Sequence, residues 1–378
     1  ITNISALANL KNLNYLDLRN NPININAEEN KKVYDMIIQN GGQVEVDEYD
    51  DSEIIEIPDV KLKERLIKYD SIDSNNDGEI SKHEMENLKS VYVSDNVIKS
   101  LEGLQYAINL ESISFDYCNM NISFEPLYDL TKLKEISIST YNGEVFDISI
   151  LNNFKYIESL YIYGRIRNQE TLWNYTQLKK LTIKASYSMS FDGIQNLKNL
   201  EYLEIGNNYD TILEFDLNLI YDMINIKDLS IINVNIKEIG ALANLTNLQK
   251  LNLTKNKITN ISELVSLTNL KYLNIQNNPI NINSEENKKV YDMIIQNGGQ
   301  VEVDEYDDSE IIEIPDSALL RNLLNNIDKN NDNKISKKEL ENLQTIGIYD
   351  YLNSLEGLQY AINLEQLSLS YNAAEGYI

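Results

Sequence analysis

Residues 260–280 read NISELVSLTNLKYLNIQNNPI. From Leu270 onward the apolar positions follow the order L-x-x-L-x-L-x-x-N, carried by Leu270, Leu273, Ile275 and Asn278. This pattern predicts one short strand and one return segment per turn of chain. The apolar residues point inward, and the asparagine enters the turn to satisfy backbone groups there. A single unit of this kind cannot bury its own face, whereas stacked units can.

The same pattern starts at Leu13, with Leu16, Leu18 and Asn21, and again at Leu110, Leu133, Ile157, Leu178, Leu200, Ile226, Leu248 and Leu364. From Leu110 to Leu270 the steps are 23, 24, 21, 22, 26, 22 and 22 residues, which is leucine-rich-repeat spacing. The expected fold is an α/β solenoid, with a parallel sheet on one face. The ninth position is Asn21, Asn208, Asn256, Asn278 and Asn372 in five repeats and Cys118, a compatible ladder residue, in another. It becomes Tyr141, Arg165, Ser186 and Val234 in the middle. That change reads either as drift in a relaxed stack or as a specialised binding stretch.

A longer period of 257 residues overlies the short one. Residues 20–59 recur at 277–316 with one difference, Ala27 against Ser284. Each copy holds the end of a repeat, a predicted helix over 27–40 with apolar Val33, Met36 and Ile37, and Gly41 at the left-handed position that stops it. Val44 and Val46 then read as a strand. Residues 45–56 carry seven acids and no base, which predicts a solvated linker. Pro58 and Asp59 open the next helix, with Asp59 as its N-cap. After this the copies diverge but both reach LEGLQYAINLE, at Leu101 and Leu355.

The chain is therefore a permuted slice of a tandem array. Residues 1–47 are the last repeats and C-terminal cap of one module. Residues 48–97 are a linker and N-terminal cap, 98–283 a repeat stack and 284–304 its C-terminal cap. Residues 305–352 are the next linker and N-terminal cap, and 353–378 begin the following stack.

Each N-terminal cap contains a loop with a defined chemistry. Asp73, Ser74, Asn75, Asn76, Asp77, Gly78, Glu79, Ile80, Ser81, Lys82, His83 and Glu84 fit D-x-[DN]-x-[DN]-G-x5-E at every fixed position. Calcium is a hard ion taking about six to eight oxygens, so a loop must wrap around it. Asp73, Asn75 and Asp77 offer side-chain oxygens, Glu79 a backbone carbonyl, Ser81 a direct or water-mediated contact and Glu84 both carboxylate oxygens. Gly78 permits the sharp turn, and Ile80 faces the core between helices bearing Leu62, Leu66 and Ile67 on one side and Met85 and Leu88 on the other. In the second loop the corresponding ligands are Asp328, Asn330, Asp332, Lys334 through its carbonyl, Ser336 and Glu339. Asn333 replaces the glycine there, and four lysines dilute the negative charge, so weaker binding is expected. Each loop reads as standing alone beside a repeat stack, which suits a structural staple better than a signalling pair.

The whole chain resembles the internalin family of bacterial surface proteins. The resemblance lies in the run at 260–280, in the helical cap before LEGLQYAINLE, and in a cap-embedded loop like that of clostridial and related members. It implies a curved right-handed solenoid with the parallel sheet on its concave face, exported to the cell surface or outside the cell, and used for binding. Positions facing the concave side include Tyr161, Tyr163, Lys180, Lys184, Tyr202 and Glu204, a candidate patch for a protein or glycan ligand. The other strands offer mostly Ser, Asn, Asp and Glu.

Composition narrows the alternatives. A net charge of −26 repels nucleic acid and anionic membranes and attracts divalent cations. No run approaches ~18 uninterrupted apolar residues, so no membrane insertion is expected. Cys118 is the one cysteine and His83 the one histidine, which removes nucleophile–histidine pairs and clusters of either ligand. No enzyme is expected. Adhesion through the concave face and self-association of modules into a filament or surface layer remain the two functional readings.

Overall fold

The computed structural model describes residues 1–378 other than 20, 22, 47–52, 95–96, 117–121, 141–144, 186–188, 207–212, 305–309, 330–332 and 371–378. Cys118, Tyr141, Ser186, Asn208 and Asn372 at the ninth position, and Asn330 and Asp332 of the second loop, lie outside the described residues. The chain divides into two compact units, Ile1–Lys180 and Leu181–Ile378.

In the first unit, β1 (Tyr15–Asp17), α1 (Glu28–Gln39) and β2 (Gln43–Glu45) form the leading cap. Then come α2 (Val60–Lys68), α3 (Lys82–Glu86) and the strands β3 (Ser90–Ser94), β4 (Ser112–Asp116), β5 (Glu135–Ser139), β6 (Val145–Asp147) and β7 (Ser159–Arg167). β3, β4, β5 and β7 pair in parallel, and β6 pairs with the far end of β7. In the second unit, β8 (Lys180–Ala185, opening at the boundary), β9 (Tyr202–Gly206), β10 (Asp228–Ile232), β11 (Lys250–Asn252) and β12 (Tyr272–Asn274) lie in chain order. α4 (Glu285–Gln296) and β13 (Gln300–Glu302) close that sheet. α5 (Ser317–Ile327), α6 (Lys337–Glu341), β14 (Thr345–Ile348) and β15 (Gln366–Leu369) follow. β9, β10, β11 and β12 pair in parallel and in register, one repeat to the next, which is the leucine-rich-repeat fold.

Alternation explains the core. Ile113 and Phe115 on β4 are buried, as are Leu203 and Ile205 on β9, while the residues between them face outward. Phe124 touches Phe115, Phe146 and Phe154, filling the return side of the first unit. Trp173 is buried, as its place in a return segment predicts.

The asparagine ladder does what the pattern requires. Asn256 Oδ1 accepts from the Val234 and Ile236 N–H groups, and its Nδ2 donates to the Ile231 and Leu253 carbonyls. Asn278 accepts from Ile258 N–H and donates to Leu253 and Ile275. Each amide thus spans two turns of chain and satisfies backbone groups that a strand ladder cannot reach. Where the asparagine is missing at Arg165, the pairing changes. Thr140 Oγ1 accepts the Arg165 N–H at 3.0 Å, and β7 runs on to pair with β6.

The expected cap helix is one residue shorter at each end, since Ala27 and Asn40 are its caps. Val33 and Ile37 are buried, and Met36 packs at the edge of their cluster. Gly41 takes a φ of +75° and turns the chain into β2.

Candidate calcium sites and the sheet face

Asp59 begins the first site. Its Oδ1 accepts from the Lys61 and Leu62 N–H groups at 2.9 and 3.0 Å, capping α2. Its Oδ2 accepts from Lys99 and Ser100, so one carboxylate ties the helix to the first repeat. Burial pushes its carboxyl up, but the N–H donors of Lys99, Leu62, Ser100 and Lys61 outweigh that and hold it below its usual range. Leu62 and Leu66 are fully buried and Ile67 is half-buried.

The loop is already closed on itself. Asp73 is 9% exposed, Asn75 2%, Ser81 0% and Glu84 2%. Asp73 accepts from the Asp77 and Gly78 N–H groups, Asn75 from Asp77 and Asp77 from Glu79. Glu84 Oε1 accepts from the Ser74 N–H at 2.8 Å and Oε2 from the Ser81 N–H at 3.0 Å. Ser81 in turn accepts from the Glu84 N–H, a reciprocal capping box that starts α3. The last acid of the loop is therefore oriented by the helix it opens. Burial raises the Asp73 carboxyl above its usual value, with Glu84 and Asp77 adding to the rise against N–H donors that lower it. His83 is exposed, as expected.

These residues fit a calcium ion by donor type, since one short loop supplies carboxylate, amide, hydroxyl and carbonyl oxygens. Three of the side chains and Asp73 are withdrawn from water. No three or more His, Cys, Asp or Glu side chains among the described residues stand grouped to hold a metal. The outermost acid, Asp77, is exposed, with Oδ2 accepting from Asn75 and, at 3.3 Å, from Asn24 of the preceding cap.

The second loop repeats the arrangement where it is described. Glu339 accepts from the Lys329 and Ser336 N–H groups and forms a capping box with Ser336. Burial raises the Glu339 carboxyl. Asn333 sits at φ +61° where Gly78 sits at +82°, and its N–H donates to Asp328. Ile335 is buried in the cluster of Leu319, Leu323 and Leu340.

One expectation is corrected here. The linker is not solvated along its whole length, because the C-terminal end of each copy lies along its loop. The Ile55 N–H donates to the Ile80 carbonyl and the Lys82 N–H to Glu53, both at 2.8 Å. In the second copy Ile312 donates to Ile335 at 2.8 Å and Lys337 to Glu310 at 2.9 Å. Lys82 Nζ pairs with Glu53 and Lys337 Nζ with Glu310. Alternation is the signal that charge counting hid: Ile55 and Ile57 are buried while Glu53, Ile54 and Glu56 face outward.

On the sheet face, Tyr161 and Tyr163 of β7 are half-buried, in register with Ser137 and Ser139 of β5. In the second unit Lys184 pairs with Glu204 at 3.1 Å, and the Tyr202 hydroxyl donates to Glu204 at 2.7 Å. Burial, with the Glu204 acceptor adding, pushes the Tyr202 phenol well up. Lys180 is exposed. The sequence reading missed a charge ladder at the strand entrances. Lys89 faces Glu111 at 3.6 Å, Glu158 is held between Lys134 and Lys179, and Lys227 pairs with Glu201. Its signal was alternating sign at one position per repeat.

Family profiles match three stretches of the chain. Leucine Rich repeats (2 copies) match residues 246–286, and EF hand matches residues 70–89 and 320–344. Among solved structures, internalin C2 of Listeria monocytogenes is 20% identical, with a TM-score of 0.39, covering 65% of this chain and 94% of that one. An internalin (inlF) of the same organism is also 20% identical, with a TM-score of 0.48, covering 84% of this chain and 91% of that one. Comparison with curated proteins gave no match. The fold itself rests on the repeats and their in-register parallel strands.

Proposed function

We propose that the chain is a non-enzymatic, calcium-binding leucine-rich-repeat array of a bacterial surface or secreted protein, with a protein or glycan as ligand of the sheet face. The observation that carries it is the loop at Asp73–Glu84, where oxygen donors are withdrawn from water and the final acid is oriented by its own helix. Asp73, Asn75, Asp77, Glu79, Ser81 and Glu84 hold one ion. Asp328, Asn330, Asp332, Lys334, Ser336 and Glu339 hold a second. Among the described residues no helix is long and apolar enough to cross a membrane. Calcium binding is tested by calorimetry of the whole chain; absence of heat up to millimolar calcium sinks the assignment.

Tyr161, Tyr163 and Lys180 serve as contact residues in the first unit, and Lys184, Tyr202 and Glu204 in the second. Aromatic rings on a rigid sheet give area at small entropic cost. Replacing Tyr161, Tyr163 and Tyr202 with Ser abolishes capture of hits from a glycan and protein array. Because all three are half-buried, the triple variant also melts earlier, by roughly 1–2 kcal/mol in total. Unchanged capture moves the site to another face. A second reading, self-assembly of modules into a filament or layer, is favoured by the near-identity of residues 20–59 and 277–316 beside divergent repeats. Microscopy with and without calcium separates the two.

A further inference from the structure

The cap, linker and loop contacts meet at one place. We infer that each loop is also the joint between successive modules, built from the C-terminal cap of one module, the linker that follows it and the N-terminal cap of the next. The occupant of this surface is the neighbouring module of the same chain, and the inference rests on the calcium reading above.

Three observations carry it. The linker supplies an edge strand to the loop through backbone bonds on both sides of it, Ile55 to Ile80 and Lys82 to Glu53. Asn24, in the turn that leads into the cap helix of the preceding module, donates to the outer oxygen of Asp77, which leaves Asp77 Oδ1 to the loop. In the second unit the turn residues Gln276, Asn277 and Pro279 of the last repeat face Lys329, Ser336 and Glu339 across a cleft of about 1060 Å³. The linker–loop bonds recur in both copies, while the cap side touches the loop through Asn24 in the first and borders it across the cleft in the second. The cap side of the joint falls within the segment repeated with one difference, and the loop residues that bond it, Ile80, Ser81 and Lys82, are matched by Ile335, Ser336 and Lys337.

The physics is linkage. An ion that fixes Asp77, Ser81 and Glu84 fixes the groups to which Asn24 and Glu53–Ile55 attach, and the linker strand reciprocally favours the closed loop. Calcium therefore stiffens the joint, and a broken joint weakens calcium binding. An array of such modules is compliant without the ion and rod-like with it.

The test uses the full chain carrying Cys118→Ser, with dyes at Lys32→Cys on the cap helix and Glu102→Cys in the first repeat. Single-molecule energy transfer is read in calcium and in chelator, with calorimetry on the same samples. The expected result is a narrowed transfer distribution in calcium, lost in Glu84→Gln. Ile55→Pro removes the donor to Ile80, abolishes the narrowing and weakens calcium binding about fivefold, the equivalent of one backbone hydrogen bond. Should that variant fail to fold, Glu53→Lys sets like charges at the exposed Lys82 contact and moves both readouts the same way. Calcium heat with identical transfer in calcium and chelator overturns the joint while leaving the calcium site intact. Absence of heat overturns both.

Discussion

The two N-terminal caps solve one problem by different approaches. Asp59 and Asp73 are fourteen positions apart, whereas Asp316 and Asp328 are twelve apart. In the first cap α2 stops at Lys68, and the chain reaches the loop through Ser71 at φ +55°. In the second, α5 runs to Ile327 and delivers Asp328 as its own C-cap. Yet the ends are held alike. Asp59 and Asp316 each accept from two helical N–H groups and from two at the next repeat. Ser81 and Ser336 form the same capping box, and the linker strands bond the same loop positions. The approach is free to vary. The exit, from the apolar residue through the serine to the final glutamate, is not, because that stretch starts the helix, bonds the linker and, on the proposed reading, holds the ion.

The sharpest way to break the likeness is to remove the final acid from each loop. A ligand bound only to the folded state stabilises by RT ln(1 + [L]/Kd). Millimolar calcium at a site of ~10 µM affinity contributes roughly 2.7 kcal/mol, and a site of ~10⁻⁴–10⁻³ M affinity about 0.4–1.4 kcal/mol. Glu84→Gln is expected to remove the larger gain from the first cap, and Glu339→Gln the smaller one from the second. Amide exchange resolved by segment, in calcium and in chelator, reads each cap separately. Equal protection of the first cap in both conditions would mean that no ion staples it. The effect is confined to the cap and its first repeats, since stacked repeats couple to their neighbours.

A smaller change separates turn geometry from charge. Asn333 holds a positive φ that costs an L residue about 1 kcal/mol, less for asparagine than for most. Asn333→Gly is expected to stabilise the second cap by about 0.5–1 kcal/mol and to tighten its calcium binding a few-fold. Gly78→Asn does the reverse in the first cap; a Cβ at Gly78 meets nothing within 4 Å, so the cost is conformational rather than steric. If Asn333→Gly leaves affinity unchanged, the lysines around the second loop account for its weakness.

Much of this was legible from the chain alone. The repeat register, the asparagine ladder, both loops and the Asp59 cap follow from spacings that allow few other geometries. What escaped was written in weaker signals. The linker reads as solvated because its seven acids dominate a window in which Ile55 and Ile57 alternate with outward residues. Its pairing with Ile80 is a backbone contact across more than twenty residues, which no side-chain pattern encodes. On the sheet face long side chains lean on their neighbours, so Tyr202 turns to Glu204 and is half-buried.

The smallest expected effect comes from the single difference between the two cap segments. Ser284 is the N-cap of α4, and its hydroxyl accepts from the Asn287 N–H at 3.4 Å; Ala27, in the same place before α1, offers nothing. A serine N-cap is commonly worth about 1 kcal/mol over alanine. Here the bond is long, and the helix start is held another way. Asn30 is buried, accepts from the Ile4 N–H and donates to the Thr2 and Asn24 carbonyls. Asn287 does the same with Ile261, Thr259 and Asn281. With three bonds to the last repeat fixing the first turn, the hydroxyl adds a few tenths of a kcal/mol at most. Ala27→Ser and Ser284→Ala are therefore expected to shift the two caps by equal, opposite and barely measurable amounts in thermal melts. Asn30→Ala costs far more, because it leaves the buried Ile4 N–H without its acceptor and takes a donor from the Thr2 and Asn24 carbonyls. A loss from Ser284→Ala that rivals the asparagine change would place the helix start in the cap hydroxyl, and the alanine copy would then be a defective cap rather than an equivalent one.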